Sequence, residues 1–537
     1  MNALLKKPIF LLIAVNVLIG FFIFRDYGLA WDEPYFYSYA DALGYAYSPA
    51  NWFSGDFDLN NSYGASGEDH KTRGPAYLFL ARNFVYGLEA LGSDIIPAGG
   101  SASAWHLVNF LFFQLGIYFI YRISTRWMST SAAFATALLF SSQPLLWGHA
   151  FINPKDPPFL TFFLASVCLG FEMVDAIAQN TDNKMIKIVI AASVLGIATS
   201  IRVLGPLAGL LVGIYFLSRL KFKAWKSLIG YGVIVLLVMF ATWPYLWESP
   251  VTNFIGVFRL MSDNPTNLSV LFNGQAYRAG ELPLRYLPFM LATTLTEPVW
   301  MLFLIGVIVA YRKFLTKPLS PASSVTYDSN YLVSLTLIVL WFVILPAYVF
   351  LRRPAMYDGF RHFLFILPPV FIFVGFAFEL IFEKLSFLFV SRENAIAWLR
   401  AGLLIVLIMP GVSAIFRLHP YEYTYYNSFI GGTDGAFRKY ETDYWLTCYK
   451  EAVEQLNRLT SEPINLFVKR EAYIAAPYAN ENINLLDLRY ADEQVQSGDY
   501  VLVNTRLNDD RSTFRDAFNV FEIKRGNATF CFVRQIP

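Results

Sequence analysis

Charge is what this chain has least of. Only 15% of its 537 residues are Asp, Glu, Lys or Arg, against about 25% in a soluble domain. The formal net charge is +2, so no global field draws the chain to nucleic acid, and that partner class is set aside. Three cysteines exclude a disulfide-built scaffold. Five histidines fall into no established metal-ligand spacing. There is no internal repeat and no low-complexity tract, which weighs against the repeat-built architecture of many transporters. A cleavable leader is not expected. Lys6-Lys7 precede an apolar run from Pro8 to Phe24, but no small-x-small site separates it from Arg25-Asp26, so the run reads as an uncleaved first helix.

What the chain has instead is apolar length. Hydrophobic residues make up 56% of it and aromatics 18%, gathered in runs near the roughly 20 residues that span a bilayer. The runs predict about eleven transmembrane helices: 8–24, 105–121, 131–148, 158–175, 186–200, 203–218, 228–246, one within 286–311, 331–350, 363–382 and 401–417. Two long polar loops interrupt them, 25–104 and 247–285. Within the first, Ala76 to Leu91 is apolar but broken by Arg82, Asn83 and Glu89, which suits a helix lying along the interface. Lys6/Lys7, Arg122/Arg126, Lys184/Lys187, Arg219 to Lys226, Arg312 to Lys317 and Lys384/Arg392/Arg400 fall on alternate loops. Those loops belong in the cytoplasm. The N-terminus is then inside, and both long loops and everything after about 418 lie outside.

From 418 to 537 the apolar runs shorten and charge rises. Tyr449 to Leu459 has helical periodicity, and Ile464–Val468, Ile483–Leu488 and Tyr500–Asn504 read as strands. Val520–Ile523 and Thr529–Val533 flank a hairpin turn at Arg525-Gly526-Asn527. The chain thus divides into a polytopic α-helical membrane domain, 1–417, and a small extracytoplasmic α/β domain, 418–537. Cys168 reads as a small core residue. Cys448 and Cys531 either pair or stay as thiols.

Four groups on the predicted outer face could carry chemistry. The first is Asp32-Glu33, two carboxylates where the first helix meets water; the same pair would also suit a helix N-terminus. The second is Glu68-Asp69-His70-Lys71-Thr72-Arg73-Gly74-Pro75. The third is Lys155-Asp156. The fourth is Arg352-Arg353 with Arg361-His362, a cationic cluster on the side where cations are few. Guanidinium forks bind phosphate oxygens in pairs, so a surface phosphate would account for that cluster; pairing with Asp358 or with lipid headgroups would account for it equally. Arg202, between two apolar helices, needs a carboxylate, a phosphate or a route to the headgroups. Glu68, Asp69, His70 and Asp156 offer oxygen and nitrogen donors to a divalent metal, or support around the site. His106, His149 and His419 read as structural or interfacial.

An acidic pair in the first outer loop (Trp31-Asp32-Glu33), a basic-Pro element after it (His70 to Pro75) and Asn153-Pro154-Lys155-Asp156-Pro157 resemble the GT-C glycosyltransferase superfamily. Within it the nearest resemblance is to the bacterial protein O-mannosyltransferase and aminoarabinose transferase group. His419 to Asn427, Gly431-Gly432 and Glu441 to Trp445 are similar to bacterial proteins of this kind. The basic-Pro element departs from the frequent Lys-Pro-Pro, so which basic residue meets a donor phosphate is open. The resemblance implies a polyprenyl-phosphate-sugar donor in the inner membrane and a lipid, glycan or protein hydroxyl as acceptor. It implies Asp32 as the base, with Glu33 orienting it or positioning the acceptor and open as an alternative base, and Lys71, Arg73, Arg202, Arg361 and His362 around the phosphate. Direct attack would invert the sugar. The competing classes are a flippase of lipid-linked sugars and a membrane anchor for the C-terminal domain. Charges gathered at one face, rather than in broken helices at the midplane, favour the enzyme over the transporter.

Overall fold

The computed structural model describes residues 8–65, 70–92, 101–263, 266–315, 329–389 and 393–537. Glu68 and Asp69 of the proposed metal set, and Lys6, Lys7, Lys317 and Arg392 of the charge pattern, lie outside the described residues. Every apolar run expected to be helical is helical, with two differences. The run 131–148 is two helices, Thr130–Ser141 and Pro144–Ile152. Pro144 has no N–H to continue the first, and its fixed φ starts the second. The run 286–311 is Tyr286–Thr293 and Glu297–Leu315, bent by 105°. Among the described residues six helices are long and apolar enough to cross a membrane, and the bent pair would be a seventh. Pro8–Ile23, Thr130–Ser141, Pro206–Leu220 and Trp225–Ala241 are shorter.

The first polar loop holds two helices, Ala76–Glu89, as expected, and Glu33–Ala46. The second was unexpected. It is short and mixed in hydropathy, and it exists by burying Phe36, Tyr37, Tyr39, Ala40 and Leu43 along one side. The loop 247–285 contains the helix Pro250–Asp263 and an antiparallel hairpin, β1 (Ser269–Phe272) with β2 (Gln275–Arg278).

The C-terminal region packs the helix Cys448–Leu459 on a five-stranded sheet. Its strands are β3 (Ile464–Val468), β4 (Ile483–Asp487), β5 (Tyr500–Asn504), β6 (Phe518–Arg525) and β7 (Ala528–Gln535), in the order β4-β3-β5-β7-β6. β3 runs parallel to β4 and β5, while β6 and β7 form the expected hairpin, with Gly526 at φ 59 in its turn. A disulfide joins Cys448 to Cys531, Cα atoms 6.1 Å apart, and ties that helix to β7. The sheet is not a separate body hung from the helices. Phe151 and Leu160 share one continuous apolar core with Trp445, Cys448 and Leu466. Polar contacts cross the same seam: Tyr27 to Glu422 at 3.1 Å, the Leu29 amide to Tyr478 at 3.0 Å, and Tyr473 to the Trp31 carbonyl at 2.7 Å.

Candidate active site

The two adjacent carboxylates occupy different surroundings. Glu33 is fully buried. It accepts hydrogen bonds from the Ala30 amide at 2.6 Å and from the Tyr37 hydroxyl, and His106 Nε2 lies 3.1 and 3.3 Å from its oxygens. Every direction around it is taken, and its work is to fix the turn into the helix Glu33–Ala46. Asp32 is the N-cap of that helix, but its side chain makes no cap bond. It is 31% exposed, and its carboxylate accepts no hydrogen bond from the described residues. Its paired cation is Arg361, Nη2 4.0 Å away.

Asp156 sits at the other side of Arg361. The loop before it is an Asx turn: Asn153 Oδ1 accepts the amides of Lys155 (3.1 Å) and Asp156 (2.9 Å), and its amide nitrogen donates to Asp156 Oδ2 at 2.9 Å. Asp156 is thereby held to receive Arg202, at the end of the helix Lys184–Ile201, and Arg361 Nη1 at 3.4 Å. With both oxygens engaged by guanidiniums and by Asn153, Asp156 serves as an arginine partner. Gly74 brings the basic-Pro element in. A Cβ there would stand 1.2 Å from the Ser200 carbonyl oxygen, so only glycine allows this approach beside Arg202. Arg73 and Lys155 both lie over the Phe36 ring, at 5.8 and 5.9 Å.

The result is a crowd of cations. Burial, followed by Arg73, Arg202 and Arg361, pushes the Lys155 ammonium well below its ordinary pKa, while Asp32 pulls it up. His362 faces the same four cations, and its ring meets Tyr357 edge-on at 4.7 Å. His70 is buried against Tyr35 and Phe36; burial, then Arg73 and Lys155, lowers its pKa to about 3, so it is a neutral imidazole. The Nε atoms of Arg202 and Arg361 are buried without a hydrogen-bond partner. A buried unmet donor costs about 1–3 kcal/mol. A phosphate oxygen would meet such donors at once.

The remaining members come from the loop 353–361 and the C-terminal region. Asp358, fully buried, accepts from Arg361 Nη2 at 2.8 Å, Trp445 Nε1 at 3.3 Å and Arg506 Nη2 at 3.2 Å. Arg361 lies over the rings of Tyr357 (5.2 Å) and Trp445 (5.0 Å). Glu441 is 3.7 Å from Arg506; burial raises its carboxyl well above the usual range, with Arg506 opposing and Asp358 reinforcing. His149 bonds the Tyr444 hydroxyl at 2.9 Å and approaches Asn153 at 3.3 Å. Arg352 and Arg353, grouped with Arg361 in the sequence, are exposed and take no part. Sequence reasoning grouped Lys155 with Asp156 without giving it a role, and passed over Trp445, Arg506 and Glu441 as site residues. Trp445 and Glu441 stand in the segment whose resemblance it noted, but nothing local to Arg506 marks it.

No family model matches the chain, and no curated protein matches it. Among solved structures the chain is similar to ArnT from Cupriavidus metallidurans in the apo state (TM-score 0.49, 13% identity, 97% of each chain covered). It is similar to that ArnT bound to undecaprenyl phosphate (TM-score 0.48, 12% identity, 97% of each chain). It is also similar to the Archaeoglobus fulgidus oligosaccharyltransferase in complex with Zn and sulfate (TM-score 0.47, 11% identity, 92% of this chain and 67% of that one).

Proposed function

We propose that this chain is a GT-C-type membrane glycosyltransferase that moves a sugar from a polyprenyl-phosphate donor to a hydroxyl of a lipid, glycan or protein. One observation carries the reading. Arg73, Arg202 and Arg361 crowd around Lys155, the partly exposed carboxylate of Asp32 lies beside Lys155 and Arg361, and the Nε atoms of Arg202 and Arg361 are buried without a partner. Cations that outnumber their partners suit an anion, and an uncommitted carboxylate beside them suits a proton acceptor.

The chemistry follows from that arrangement. Asp32 takes the proton of the acceptor hydroxyl as its oxygen attacks the anomeric carbon. The bond from that carbon to the phosphate oxygen breaks, and the polyprenyl phosphate leaves with its charge held by Arg73, Lys155, Arg202 and Arg361, with Lys71 and His362 at the edge. A neutralised phosphate is already an adequate leaving group, so no strong general acid is needed. A single displacement inverts the sugar, a hexose or a pentose. Glu33, locked by His106 and Tyr37, positions Asp32 and does not act as the base. Asp156 aims Arg202 and Arg361. We place the site at the outer face of the inner membrane, with the N-terminus cytoplasmic and residues 418–537 extracytoplasmic. The alternation of Lys and Arg among the loops supports this, and so does the Cys448–Cys531 disulfide, a bond of oxidising compartments.

The test is transfer by the purified chain in nanodiscs, from a panel of polyprenyl-phosphate sugars to total membrane lipid, glycan and protein fractions. A sugar-labelled product supports the reading. Movement of the donor across the bilayer without a product would replace it with a flippase. EDTA in the same assay reads metal dependence.

A further inference from the structure

The cluster draws one cation from the far end of the chain. β5 ends at Asn504, and Arg506 follows in a turn where the Asn504 side chain accepts the Arg506 amide at 2.5 Å. The Arg506 side chain is 2% exposed. Nη1 donates to the Tyr444 carbonyl at 2.5 Å, Nη2 reaches Asp358 Oδ1 at 3.2 Å, and the guanidinium lies 4.4 Å from the centre of the Trp31 ring. Arg506 therefore touches the residue beside Asp32 and the residue that holds Arg361.

Its charge matters more than its contacts. Asp358 is a buried carboxylate 2.8 Å from Arg361. If Arg361 were its only cation, the two charges would cancel, and Arg361 would have little left for an anion. Shared between Arg361 and Arg506, Asp358 cancels one charge of two. The surplus stays on the side of Arg361 that faces Asp32 and Asp156. Glu441 is the other acid beside Arg506, and it is poorly placed to compete: it is 3.7 Å away and buried.

Resting on the donor-phosphate reading above, we infer that Arg506 is a positioning residue for that phosphate: by sharing Asp358 it keeps Arg361 cationic toward the pocket, so tight donor binding requires the C-terminal sheet to be docked. The parallel strands β3, β4 and β5 give this a topological basis. Loops at the carboxyl ends of such strands are where α/β sheets build sites, and here those after β3 and β5 bring Tyr473 to Trp31 and Arg506 to Asp358.

The experiment measures binding of a short-chain polyprenyl phosphate to the full chain in nanodiscs, with thermal midpoints as the check on folding. Arg506→Gln is expected to weaken binding about tenfold or more, in the range of ordinary site-to-site coupling. Arg506→Lys, which keeps the charge and loses the fork, should fall between, and it carries the test if the Gln variant does not fold. The deciding variant combines Arg506→Gln with Asp358→Asn. A neutral residue 358 no longer claims Arg361, so binding should recover most of the loss, whereas a merely structural arginine would leave the double variant as weak as the single or weaker. A folded Arg506→Gln that binds like wild type overturns the inference, as does a double variant with no recovery. Wild type that binds no polyprenyl phosphate overturns the donor reading itself, and this inference with it.

Discussion

The helix Asp156–Ala178 has acids at both ends, and arginines answer them at both, yet the two ends are built differently. At its C-terminal end Arg122 meets Glu172 with two parallel hydrogen bonds, of 2.7 and 2.5 Å. Asp175 takes Arg126 at 2.7 Å, Arg219 at 3.3 Å and the Tyr215 hydroxyl at 2.8 Å. The charged side chains here are 16–35% exposed, and every one of them is paired. At the N-terminal end Asp156 is 2% exposed, and its arginines are crowded by Lys155 and Arg73. A closed pair fastens helices together. In a crowded one buried cations press on one another, and burial and crowding, not residue types, set the two ends apart.

The comparison can be tested at each level. The largest effect should come from Asp32→Asn, which should lower turnover about a thousandfold while donor binding persists; an unchanged rate in a transfer assay would move the base elsewhere. Asp156→Asn should cost about 3–5 kcal/mol, since it strips a buried partner from two guanidiniums, and the thermal midpoint in detergent would record it. Arg361→Gln should weaken donor binding on the order of a hundredfold by titration, because it truncates a buried, hydrogen-bonded charge. By contrast, Glu172→Gln should change stability by at most about 1 kcal/mol, as half-exposed pairs do, and leave turnover alone. Equal losses of transfer at the two ends would break the distinction.

The smallest effect concerns the seam between the first loop and the C-terminal region. His419 bridges Asp26 at 2.9 Å and Glu422 at 2.8 Å. Burial opposes its charge, but hydrogen bonds to Asp26 and Glu422 outweigh that and raise its pKa to about 9. With an unfolded value of about 6.5, the bridge contributes in full below that pH and is lost as pH rises through about 9. The gap in thermal midpoint between wild type and His419→Gln should therefore be widest near pH 6 and close towards pH 10.

Much of this was legible in the sequence because it is local. Helical runs announce themselves by apolar length, and the strands of the C-terminal region by alternation and the turn at Gly526. Asp32-Glu33, Arg202 and Arg361 stood out because charge in such surroundings needs a reason. The sequence favours Asp32 over Glu33 as the base, but the different surroundings of the two carboxylates were not legible. That difference depends on His106, far along the chain, arriving beside Glu33 and not Asp32. The helix Glu33–Ala46 was missed because its apolar face has meaning only against the neighbours that cover it.

The sequence by itself determined a polytopic helical chain with a terminal α/β unit, and which ends of the helices carry charge, since both follow from hydropathy and spacing along the chain. Only the tertiary structure decided which arginines pair at a partly exposed helix end and which crowd together around buried Asp156. It also decided that Cys448 pairs with Cys531 and that Arg506 reaches Asp358. These depend on contacts between residues 83 to 205 positions apart, and no local pattern encodes the meeting of groups so distant along the chain.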